Sequence, residues 1–278
     1  MSLMLKLLSI TLLLNSVIFA ETTSEKVEEF LIEQFGDNPK ITSIDVKVVD
    51  VIEIPKPKNF DAYIVLVKAS VKNGAKDRQV MQRMVYFSDG TVITKELTDL
   101  SSGESMVDYV KPDFKAEFYK KSNLIYGNVN AKHRVAFFSD PLCPFCRGFV
   151  PKAIKEMKKY PEKFAIYYYH FPLERIHPAS VTLVKAAVAA EQAGIKDAVL
   201  KLYTVNVNAR EKDVKVILKA FNRTMGTKIT QADLESRAVK SHIANDQQIA
   251  EYLMVGGTPT VYFDDKIDET KKKYTKVK

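Results

Sequence analysis

VAFFSDPLCPFC, residues 135–146, is the stretch on which the fold turns. Val135-Ala136-Phe137-Phe138 is a short continuous apolar run, the pattern of a strand buried on both faces. Ser139-Asp140-Pro141 ends it. Past Cys146, the residues Phe149, Ile154 and Met157 carry an apolar face at helical spacing. Phe164 to His170 then reads as a second strand, rich in Tyr and Ile. Strand, helix, strand in this order predicts a βαβ unit with parallel strands. Cys143 and Cys146 fall where the first strand hands over to the helix.

These are the chain's two cysteines, in 278 residues. Disulfide-built secreted scaffolds are small and rich in cysteine, so this pair is no structural framework. A bridge across three positions closes a tiny loop and adds little stability, which points to a chemical role. At the N-terminus of a helix, unpaired amides and the helix dipole favour an anion. The thiolate of Cys143 is stabilised there, and the thiolate is the attacking species in disulfide exchange. Cys146, one turn on and on the same face, can attack the resulting mixed disulfide and release the substrate. Cys143-Cys146 is therefore expected to cycle between dithiol and disulfide. Pro144 suits the first helical turn, where its missing N–H costs nothing. Phe145 supplies apolar surface beside the sulfurs. Asp140, three positions before Cys143, either caps the helix or relays a proton. A structural zinc site wants four ligands. His133, His170, His177 and His242 show no pair at ligand spacing, so no metal or other cofactor is expected. His170 and His177 are expected in core or surface roles, and Tyr167-Tyr168-Tyr169 as strand core and edge.

Toward the N-terminus, residues 1–20 read as a secretory signal. Lys6 precedes an apolar run, Leu7 to Leu14, and Ala20 offers a small residue before Glu21. The run is short for a membrane span, so cleavage near Ala20 is expected rather than an anchor. Removing Lys6 takes the formal charge from +8 to +7. The lysines are spread along the chain, without the basic stripe and reading motif of a nucleic-acid binder. Thr22-x-x-Glu25 is a capping box, followed by Val27, Phe30, Leu31 and Phe35 at helical spacing. Four strands follow, the last pair turning at Ser88-Asp89-Gly90. Residues 21–100 are thus a small α+β domain. Residues 101–122, with Pro112 inside a loose helical pattern, read as a partly helical linker. The second domain covers 123–278.

Toward the C-terminus, the segments 178–206, 211–224 and 230–254 read as helical, an insertion of about 178–254 after the second strand. Gly256-Gly257-Thr258-Pro259-Thr260 ends it and opens a strand, Val261-Tyr262-Phe263. The tail is short and basic.

FFSDPLCPFC resembles the active-site segment of the bacterial periplasmic Dsb proteins, and GGTPT resembles their cis-proline loop. The resemblance implies a thioredoxin-like catalytic domain in which Pro259 is cis and faces the cysteines. Thr258 before it follows the DsbC and DsbG isomerase branch, where DsbA oxidases usually carry valine. A cis proline removes a donor and leaves the Thr258 backbone free to pair with an extended substrate. That branch also has an acid at the position of Asp140. YFSDGTVITKELTDL resembles the end of the cystatin-like dimerisation domain of DsbC and DsbG, which are V-shaped homodimers. By contrast FPLERIHPASVTLVKAAVAAEQAG is more similar to DsbA-type domains. Pro144-Phe145 is closest to the Pro-Tyr of DsbG. The short tail puts the usual last strand and helix in doubt.

The function expected is a periplasmic disulfide isomerase or reductase, homodimeric, acting on exported proteins that carry disulfides or thiols. A DsbD-like membrane reductant would keep it reduced. Two alternatives stand beside it: a dithiol oxidase served by a DsbB-like oxidant, and a holdase chaperone that uses the dimer cleft.

Overall fold

A computed structural model describes residues 22–72, 74 and 77–277. The expected signal, 1–20, lies outside the described residues. The chain divides into two compact units at Met106/Val107.

In the first unit, helix α1 (Thr23–Gly36) starts at Thr22 through the capping box its sequence announces. The Glu25 amide donates to Thr22 Oγ1 at 3.2 Å, and Glu25 Oε2 accepts from the Thr22 amide at 2.7 Å. Strands β1 (Ile41–Glu53), β2 (Asp61–Val71), β3 (Arg78–Ser88) and β4 (Ile93–Thr94) form one antiparallel sheet in the order β1-β2-β3-β4. Val27 and Leu31, four apart on one helix face, pack on Val46, Tyr63, Val65 and Tyr86. At the Ser88-Asp89-Gly90 turn, Gly90 takes φ +89°, and Asp89 Oδ1 accepts from the amides of Thr91 and Val92. The outer edge of β1 belongs to a thirteen-residue strand with partners on one side only among the described residues.

The second unit opens with α2, counted from Met106–Val110 across the division, and two 3-10 turns, Ala116–Phe118 and Lys121–Asn123. Of the linker expected over 101–122, residues 107–122 belong to the second compact unit and 101–106 to the first. Phe114 is buried against Phe138, Tyr169 and Tyr262. Its large apolar ring is withdrawn from water there, and the backbone around it follows.

Strands β5 (Leu124–Tyr126), β6 (His133–Ser139), β7 (Phe164–His170), β8 (Thr260–Phe263) and β9 (Lys266–Ile267) make a mixed sheet in the order β5-β7-β6-β8-β9. The β6–β7 pair is parallel and is joined through helix α3 (Pro144–Met157), as the βαβ reading predicts. Both faces of the sheet are covered. Val135, Phe137, Ile166 and Tyr168 face Val150, Ile154 and Met157 of α3. Ala136, Phe138, Tyr167 and Tyr169 face Ile249, Ala250 and Leu253 on the other side. The strand period of two sends alternate residues to opposite cores, which is why both strands read as unbroken apolar runs. The Tyr167-Tyr168-Tyr169 run is therefore central rather than at an edge, because β7 lies between β5 and β6.

Five helices separate β7 from β8: α4 (Pro178–Gln192), α5 (Ala198–Leu202), α6 (Val214–Met225), α7 (Gln231–Leu234) and α8 (Arg237–Tyr252). The first expected helix, 178–206, is two helices. Gly194 at φ +85° and Asp197 at φ +57° turn the chain between them. Leu183, Ala187, Leu202, Ile217 and Phe221 give this block its own core, and Leu142 from the cysteine loop is part of it. The tail is more ordered than its composition implies. β9 pairs with β8, a 3-10 turn covers Lys273–Lys276, and Tyr274 is buried in the core that holds the cysteines.

Candidate active site

Cys143 is the N-cap residue of α3, with Pro144 in the first turn. It is 4% exposed, and Cys146 is fully buried one turn below it. Both are free. Phe145, between them, is 77% exposed, so apolar surface stands open beside a nearly covered sulfur. β8 runs antiparallel to β6, with Phe138 opposite Thr260, and this brings the loop before β8 across from Cys143. The Thr258–Pro259 peptide is cis, and the Cys143 thiol points at the Thr258 carbonyl oxygen at 3.7 Å. Residues 115 positions apart thus meet at one sulfur.

The Thr258 hydroxyl is buried with no ordinary hydrogen-bond partner and bears on the Cys146 sulfur. Burial pushes the Cys146 thiol up to about 11, against hydrogen bonding from Ser139 and Thr258 that draws it down. The two sulfurs sit in unlike settings: one under the surface at a helix start, the other enclosed.

Asp140 is fully buried, but it does not cap α3, since Cys143 holds that position without side-chain help. Its Oδ1 accepts from the Leu142 amide at 2.6 Å, the Cys143 amide at 3.1 Å and the Ser180 hydroxyl at 2.7 Å. Its Oδ2 accepts from the Leu173 amide at 2.7 Å and lies 3.2 Å from His177 Nδ1. A buried carboxylate needs such a set of donors. Asp140 thereby fastens the cysteine loop to the segment after β7 and to the start of α4. Arg147 fastens it again, donating to the carbonyls of Pro141 and Val205 at 2.7 and 2.8 Å.

The structure brings Asp140, Cys143, Pro144, Phe145, Cys146, Thr258 and Pro259 to one end of the sheet. Sequence reasoning left out Ser180 and Tyr203, whose hydroxyl lies 2.6 Å from Ser139 Oγ, and it gave the Asp140 partner His177 only a core or surface role. Ser139 carried a signal, as the hydroxyl that closes the apolar run Val135 to Phe138. Tyr203 carried none, because its partner lies in a distant segment. His170 is buried, and burial takes its ring down to about 4. Among the described residues no group of three His, Cys, Asp or Glu side chains is placed to hold a metal.

A family profile described as thioredoxin matches residues 120–278. No curated protein matches the chain. Among solved structures the chain is similar to a thioredoxin-like oxidoreductase from Silicibacter pomeroyi DSS-3, at 25% identity over 54% of this chain and 84% of that one, with a TM-score of 0.44. It is also similar to the catalytic domain of Proteus mirabilis ScsC, at 21% identity over 54% and 82%, with a TM-score of 0.41. A third is oxidised BdbD from Bacillus subtilis, at 18% identity over 60% and 93%, with a TM-score of 0.45.

Proposed function

The chain belongs to the thioredoxin family through residues 120–278, and from that premise we propose that it is an exported thiol-disulfide oxidoreductase working as an isomerase or reductase in the periplasm. The observation that carries the reading is the meeting of the Cys143 sulfur, at the start of α3, with the Thr258 carbonyl beside Pro259. An extended client segment lying along Thr258 would present its disulfide to that sulfur.

The Cys143 thiolate attacks one sulfur of a client disulfide. A Cys143–client bond forms, and the other client sulfur leaves as a thiolate. A client thiolate then attacks the adduct and completes an isomerisation. Alternatively Cys146 attacks Cys143, the Cys143-Cys146 disulfide forms, and the client leaves with both thiols. In that case two electrons from a DsbD-like membrane reductant restore the pair. Threonine before the proline, as in DsbC and DsbG, supports the isomerase direction. The helical block between β7 and β8 favours a second reading, a dithiol oxidase of DsbA type with a DsbB-like oxidant.

The first unit is the dimerisation module in this proposal, cystatin-like, with the open edge of β1 as the seam between copies. No helix of the described residues is long and apolar enough to cross a membrane. Trapping the thiols in cells with a mass-adding alkylating agent decides the direction: a reduced pair supports the isomerase and an oxidised one the oxidase. Scrambled ribonuclease reshuffled at full rate by Cys143→Ala would overturn both.

A further inference from the structure

Asp140 reaches Cys143 through its amide, which donates to Oδ1 at 3.1 Å. The same oxygen accepts from the Leu142 amide and the Ser180 hydroxyl, and Oδ2 accepts from the Leu173 amide. Amides only donate, so both oxygens are already engaged as acceptors. The remaining neighbour is His177 Nδ1 at 3.2 Å, an imidazole nitrogen, which holds a proton more readily than a carboxylate does. The donor set therefore fixes Asp140 as an anion.

This anion is close to the attacking sulfur. Cys143 Sγ is three bonds from the nitrogen that Asp140 holds, so bond geometry keeps it within about 7 Å of Oδ1. Asp140 is fully buried and Cys143 nearly so, and water screens the two weakly. A negative charge at that range works against a thiolate. It opposes what the start of α3 provides.

A cation answers it. Arg147, one turn on from Cys143 in α3, donates through Nε to the Pro141 carbonyl at 2.7 Å and through Nη2 to the Val205 carbonyl at 2.8 Å. Asp140 and Pro141 are consecutive, so the anion and the cation flank one short stretch of the cysteine loop. The Asp140 charge acts on the guanidinium, opposing the downward pull of burial.

We propose that Asp140 and Arg147 are opposed positioning residues that set the redox poise of Cys143-Cys146, the carboxylate disfavouring the reduced, thiolate-bearing form and the guanidinium favouring it. Neither is a catalytic residue, since each acts through the loop and through space. The inference rests on the exchange reaction proposed above and names what decides the direction of electron flow in it. A pair whose reduced form is stabilised is the stronger oxidant. Asp140 thus biases the site toward giving electrons, and Arg147 toward taking them.

The test is equilibrium with glutathione at neutral pH, read as the fraction of protein in the disulfide form. Two glutathione thiols break the Cys143–Cys146 bond and leave as one glutathione disulfide. The protein keeps two electrons and two protons, less any proton that an ionised Cys143 returns to solvent. Asp140→Asn should move the equilibrium constant toward reduced protein by about three- to thirtyfold, the effect of one partly screened charge at that distance. Arg147→Met should move it toward the disulfide by a similar factor. Arg147→Lys keeps the charge and should stay near the parent value. His177, the other titratable group at Asp140, is unchanged in every variant.

A loop merely loosened by lost hydrogen bonds would move Asp140→Asn and Arg147→Met the same way. Shifts of one sign, or constants within about twofold of the parent, overturn the inference. Should Asp140→Asn not fold, Arg147→Met against Arg147→Lys decides alone, and equal constants overturn it. No client enters this measurement. Opposed shifts in a protein that leaves scrambled ribonuclease untouched support the inference and overturn the isomerase reading. An active protein without them does the reverse.

Discussion

Asp140 Oδ2 lies 3.2 Å from His177 Nδ1, and this contact ties the loop that carries the cysteines to the first residue before the helical insertion. The pair is fully buried on the acid side and nearly so on the imidazole side. The insertion is therefore attached to the site through this polar contact as well as through Leu142 in its core.

Asp140→Ala strands the amides of Leu142 and Leu173 and the hydroxyl of Ser180 without their acceptor, and leaves the Cys143 amide only its 3.3 Å bond to the residue 140 carbonyl. The expected loss is about 3–5 kcal/mol, as for breaking a buried ionic network on one side. Asp140→Asn keeps one carbonyl oxygen and should lose less. Urea unfolding of the three proteins measures both losses.

Gly127→Ala should destabilise the second unit strongly. Gly127 has φ +83°, and a Cβ there would stand 1.9 Å from the Phe164 carbonyl oxygen and 2.9 Å from its carbon. The obstacle is the backbone of β7, which cannot rotate away as a side chain would. A cost of about 2–4 kcal/mol follows from strain and clash together, and thermal melting reads it.

Glu191→Gln should stabilise the protein at alkaline pH. Burial raises the Glu191 carboxyl from its ordinary value of 4.5 to about 7, with His242 opposing and Asp246 adding. Below about pH 4.5 the acid is protonated in folded and unfolded chains alike, and no stability is lost. Between there and about pH 7 the unfolded chain ionises first, so stability falls, and above that the deficit is constant. Glutamine removes it, a gain of about 1–3 kcal/mol at pH 8 that vanishes by pH 4. Equal unfolding curves at the two pH values would refute this assignment.

The sequence made the βαβ unit legible because Val135 to Phe138 and Phe164 to His170 are buried on both faces, and two-sided burial writes itself as an apolar run. Cys143 at a helix start was legible from the apolar periods on either side of it, and the cis Thr258-Pro259 peptide from the resemblance that GGTPT carries. Phe114 was not, since Tyr109, Phe114, Phe118 and Tyr119 gave only a loose helical pattern around Pro112, which says nothing of the core they enter. Tyr274 was lost in a lysine-rich tail for the same reason. The Ser139–Tyr203 contact was invisible on other grounds: a hydroxyl's partner is chosen by tertiary placement, and no local period encodes it. The family match covers residues 120–278 of the second unit and is broader than the DsbC and DsbG branch the motifs resemble.

The sheet order has a temporal side. β6 and β7 are near in sequence, but β8 must insert beside β6 after the whole helical block has been made. Pairings across such separations form late, because loop closure must precede their reward. A chain still folding would thus display both thiols before the Thr258 carbonyl stands opposite Cys143. The meeting of the Cys143 sulfur with the Thr258 carbonyl is therefore a late product of folding, made only once β8 has closed the sheet.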